Sequence, residues 1–199
     1  MKNIYKSILV AIVMIGGFSS CSDSNLSIDT LYDDVNTSGS ILRILTPPAD
    51  IIGLPGQTTF PTVLDFLVEV QQGDGSFTPD FVEVRMKIQL FADQDASVPI
   101  EGAPQILYQT ILSSEFEELL GSSNGLPMYQ IEIPTEDIIA SYPGVEFPGL
   151  VFLVTNFELE MTELDADGNH IVWDVTNAGA TLSGPYMSSP FSWKTIFKL

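Results

Sequence analysis

Residues 81–91 read FVEVRMKIQLF, and this stretch constrains the fold more than any other part of the chain. Val82, Val84, Met86, Ile88 and Leu90 alternate with Glu83, Arg85, Lys87 and Gln89. A period of two with one wet face specifies an antiparallel strand packed on one side only. Comparable runs recur at short spacing. Residues 62–71 place Val63, Phe66, Val68 and Val70 among Asp65 and Glu69. Residues 105–112 form another strand, and 128–133 alternate up to Pro134. Residues 151–164 predict a long strand. Its apolar residues Phe152, Val154, Phe157, Leu159 and Met161 change phase midway, which predicts a bend near Thr155-Asn156. Asp165-Ala166-Asp167-Gly168 reads as a tight turn, with 170–175 as the returning hairpin partner. Shorter runs at 41–45 and 191–197 open and close the series.

Helical signals are few and short. Ser114 and Glu117 fit a capping box, with Gly121 as the stop. Thr135 fits the cap of a second helix over 136–142, which carries acids in its first turn. No crossover helix of useful length separates the strands. The expectation is an all-β fold: an antiparallel β-sandwich of about seven to eight strands, with two short helical turns in its connections. Its pattern resembles an immunoglobulin-like or fibronectin-like sandwich. The resemblance is one of pattern only, since the single cysteine, Cys21, lies outside the strand-rich region.

The chain carries seven basic and 26 acidic residues, a formal net charge of −19. That charge opposes nucleic acid and anionic membrane surfaces. An apolar content of 45% supplies a core that acidic disordered chains lack.

The N-terminus carries an address. Lys2 and Lys6 precede an uncharged run at 8–15, then Gly16-Gly17-Phe18-Ser19-Ser20-Cys21. The run is shorter than the roughly 20 residues that a spanning helix needs. A basic start, a short apolar run and a small-residue exit describe a signal peptide. Ser19 and Ser20 before Cys21 resemble the lipobox of bacterial lipoproteins, with Phe18 where leucine is usual. That resemblance implies cleavage after residue 20 and acylation of Cys21. Acyl chains contribute about 0.8 kcal/mol per buried CH₂, and stable anchoring takes more than one. Ser22 and Asp23 are similar to the export signal of Bacteroidetes-type surface lipoproteins, which implies display on the outer face of the outer membrane. The expected organisation is a signal peptide at 1–20, a lipidated cysteine and acidic tether at 21–40, and one β-sandwich domain at 41–199.

Catalytic groups are sparse. His170 is the only histidine, and no nucleophile elbow or phosphate-cradling loop is present. Asp165 and Asp167 are candidate calcium ligands, but the EF-hand spacing fails: Gly168 stands fourth and Thr176 twelfth. Trp173, Tyr186 and Trp193 are candidate sugar-stacking rings. The reading reached is a non-enzymatic lipoprotein without a cofactor, held to the membrane by its lipid. It acts as an accessory or interaction subunit of an outer-membrane complex of the nutrient-uptake type, with an outer-membrane protein as partner. Two alternatives stay open: a carbohydrate-binding surface lipoprotein taking a glycan, and a carboxylate-dependent hydrolase.

Overall fold

A computed structural model describes residues 40–72, 80–117, 125–147, 149–176 and 191–198, with residue 72 described by its backbone alone. Cys21, Ser22, Asp23 and Tyr186 lie outside the described residues. Nine strands and one short α-helix are described. They are β1 (Ser40–Thr46), β2 (Ile51–Gly53), β3 (Val63–Gln72), β4 (Phe81–Phe91), β5 (Ile106–Leu112), β6 (Met128–Pro134), α1 (Thr135–Ala140), β7 (Leu150–Leu164), β8 (His170–Trp173) and β9 (Ser192–Lys198). One sheet has the order β1-β3-β6 and is antiparallel throughout. The other runs β2-β9-β7-β4-β5, with β8 also on β7. That second sheet is mixed, because β2 lies parallel to β9. The long β7 gives one side to β4 and shares its other side between β9 and β8.

The buried faces of both sheets meet in one hydrophobic cluster. Phe66 of β3 meets Phe157 of β7 edge to face, with ring centroids 5.5 Å apart. Such a contact adds roughly 0.5–1.5 kcal/mol beyond area burial. The alternation predicted for β4 holds for Val84, Met86, Ile88 and Leu90, all fully buried. Val82 is corrected: a bulge between Phe81 and Glu83 turns Phe81 inward and leaves Val82 half-buried. Val63 is also corrected. It is exposed, and Leu64 takes the inner row with Phe66, Val68 and Val70.

The phase change on which the expected bend in the long strand rested is absent. β7 pairs with β4 without a slip from Glu160↔Glu83 to Phe152↔Phe91. Val151, Leu153, Thr155, Phe157, Leu159 and Met161 all face inward and are buried. Thr155 fills a core position that hydrophobicity alone assigned to the wet face, and this created the apparent phase change.

The helical expectations also shift. Around 114, the described residues hold one 3-10 turn, Ser113–Glu115. There the Glu115 carboxylate, not a Ser114–Glu117 pair, accepts a hydrogen bond from the Leu112 amide at 2.7 Å. In α1, Pro134 occupies the cap and Thr135 is the first helical residue, fully buried. Beyond α1, the Tyr142 hydroxyl donates to the Ile88 carbonyl of β4 at 2.9 Å.

Candidate functional site

The hairpin between β7 and β8 explains Asp165. Its Oδ1 accepts from the amides of Asp167 and Asn169, each at 2.9 Å, and its backbone closes the turn on Asn169 and Gly168. Gly168 has φ +84°, which its lack of a side chain permits. Hydrogen bonds led by the Asn169 amide hold the Asp165 carboxyl below its ordinary pKa. Its Oδ1 is thus engaged by its own turn. Among the described residues no group of three acids, histidines or cysteines, at Asp167 or elsewhere, is arranged to hold a metal ion.

Trp173 and Trp193 follow one side of β7, opposite Leu159 and Thr155. Four residues along a strand separate their positions by about 13 Å. Both indoles are half-buried and packed against the core cluster. Each Nε1 is buried with no hydrogen-bond partner among the described residues. The sugar-stacking reading needs open ring faces, and these two rings spend much of theirs on the core. His170 is exposed at the start of β8.

Acids do converge on the outer face of the second sheet, but around cations. Arg85 of β4 binds Glu83 at 2.6 Å, Glu158 of β7 at 3.2 Å, and Glu160. Lys87 also binds Glu158. Three strand-borne carboxylates would repel one another without these two cations. Arg85→Ala is therefore expected to cost on the order of 1 kcal/mol at low salt. The loss should shrink in concentrated salt, where screening shortens to a few ångströms. Urea midpoints at the two salt concentrations test this; an equal loss at both would rule out the electrostatic account.

The feature that the sequence reading passed over is the outer side of β5, on which no strand pairs among the described residues. This strand ends the second sheet. Its register on β4 puts Leu107, Thr110 and Leu112 on the face of Lys87, Arg85 and Glu83, with a slip between Met86 and Lys87. Leu107 is 54% exposed and Leu112 48%. The preceding connection extends the same line, because Pro99 bridges Phe91 while β7 occupies the other side of that residue. Asp93 builds this loop: its carboxylate accepts from the Ser97 hydroxyl at 2.8 Å and the Val98 amide at 2.7 Å. Val98 stands 55% exposed where the loop closes, its carbonyl accepting from the Ala92 amide at 2.9 Å. The signal was present in the sequence: ILYQTIL carries no charge in a chain with 26 acids.

No family model matches this chain, and no curated protein or solved structure resembles it significantly.

Proposed function

We propose that this protein is a non-enzymatic lipoprotein of the outer membrane, facing the cell surface through an acylated Cys21. It serves as an interaction subunit of an outer-membrane complex, and its domain is an immunoglobulin-like sandwich. The sheet order supports the fold reading: β1-β3-β6 follows strands A-B-E, and β9-β7-β4-β5 follows G-F-C with an added C′. Cys21 in its lipobox-like setting supports the anchor.

The observation that carries the interaction reading is the pair of exposed leucines, Leu107 and Leu112, on one face of β5, which is the outermost strand of its sheet among the described residues. Isolated exposed apolar residues are ordinary, but aligned ones on an uncharged edge mark a surface for another chain. The test is recovery of the lipidated protein from gently solubilised membranes. A stoichiometric outer-membrane partner is expected with the wild type, and with Trp193→Ala if the variant folds. Leu107→Lys with Leu112→Lys should release that partner. Recovery of the wild-type protein alone would sink the reading.

A further inference from the structure

Most sheet edges are guarded. Among the described residues, β1 carries Arg43, β6 carries Glu132 and ends in Pro134, β2 has three residues and β8 four. Charge, proline and shortness are the usual defences against unwanted strand pairing. β5 has none of them: seven residues, no charge, no proline, and no strand on its outer side among the described residues. An edge of this kind offers a row of backbone donors and acceptors to an extended peptide.

The charge around the edge selects the occupant. The chain has no lysine or arginine between residues 88 and 193. Exposed Glu101 precedes β5, and exposed Glu115 follows it with its carboxylate on the Leu112 amide. Asp137 of α1 lies near enough to Tyr108 to help burial raise that phenol's pKa. The nearest cations on β4, Arg85 and Lys87, are held by Glu83, Glu158 and Glu160. A second copy of this chain would bring the same acids against one another, whereas a strand with cationic ends meets opposite charge.

We propose that β5 is a strand-addition site, taking an extended segment of the partner protein whose apolar centre is flanked by lysine or arginine. This rests on the interaction reading above. Backbone pairing supplies the docking, Leu107 and Leu112 read the apolar centre, and the acids set orientation and approach rate.

The test is hydrogen exchange of the full chain in detergent, with and without an extended peptide of alternating valine and threonine flanked by lysines. β5 amides should exchange about tenfold more slowly with that peptide. A glutamate-flanked twin should bind at least about tenfold more weakly, and salt should erase the difference. Leu107→Lys should abolish the protection. Glu101→Lys with Asp137→Lys should move the preference toward the glutamate-flanked peptide, with the thermal midpoint confirming an intact fold. Equal binding of both peptides, or binding that leaves β5 unprotected, would overturn the proposal. So would β5 protection that grows with protein concentration in the absence of peptide, which would give the edge to a second copy. Partner recovery from membranes is a separate readout. A recovered partner without β5 protection removes strand addition alone; a protein recovered alone removes the partner itself.

Discussion

Phe157→Ala should lower the unfolding free energy by about 3–5 kcal/mol, the range for deleting a buried aromatic ring. Phe157 is fully buried on the inner row of β7 and lies opposite Met86 of β4. Its ring meets Phe66 of the other sheet at 90° and 5.5 Å. The substitution thus removes transfer energy, leaves a void between the sheets and deletes a ring contact that joins them. β7 borders β4, β8 and β9, so its neighbours cannot collapse into the void without disturbing three pairings. Domains are stable by about 5–15 kcal/mol, so this one change removes a large share. Thermal unfolding should report a midpoint lower by roughly 10 °C, at about 2–4 °C per kcal/mol for this size. Phe60→Ala is the control: its half-buried ring, under the Lys198 ammonium at 5.1 Å, should cost roughly 1 kcal/mol or less. A loss at Phe157 no larger than at Phe60 would refute the account of the core.

Tyr142→Phe should cost about 1–2 kcal/mol, because it removes a buried hydroxyl whose partner is the Ile88 carbonyl at 2.9 Å. Tyr142 lies just beyond α1, in the connection from β6 to β7, and Ile88 lies mid-strand in β4. The bond therefore ties the crossover between the two sheets to the second of them. Burial pushes the Tyr142 pKa up to about 12 from 10.0. The folded state thus favours the neutral phenol more than the unfolded chain does. Its contribution is fully present below pH 10, where the unfolded phenol also stays protonated. It is lost as pH rises from 10 toward 12, where only the unfolded state ionises readily. Urea midpoints measured across that window should fall in the wild type. In Tyr142→Phe the part of the fall due to this phenol should vanish. An unchanged alkaline slope in the variant would assign the loss elsewhere.

Local rules read β4 almost correctly because alternation is a backbone geometry: successive side chains of a pleated strand must point to opposite faces. They failed where a residue's polarity and its position disagreed. Thr155 is polar yet buried, and Phe152 lies on the outer row yet is 7% exposed. Hydropathy therefore reported a phase change that the unbroken register of β7 excludes. Phe81 displaced Val82 through a bulge, which has no compositional mark. The helix expected around Ser114 rested on local caps, whereas its described part is a single 3-10 turn fixed by Glu115.

The candidate site divides in the same way. The turn at Asp165 was legible, since Asp and Gly supply its hydrogen bonds and its backbone angle within a few residues. The half-buried placement of Trp173 and Trp193 was not, because it depends on their pairing beside β7. β5 was legible as a strand and as an uncharged run, but not as an edge.

The sequence by itself determined the class of structure: strand-rich, with short connections and a large acidic excess. These follow from periodicity, turn chemistry and charge, which act over a few residues or over the whole composition. Only the tertiary structure decided that β2 runs parallel to β9, that β8 and β9 share one side of β7, and that β5 is outermost in its sheet among the described residues. Strand order is set by which hydrophobic faces can be buried together, a competition among segments far apart in the chain. No local pattern records its outcome, and it is that outcome which leaves Leu107 and Leu112 facing water.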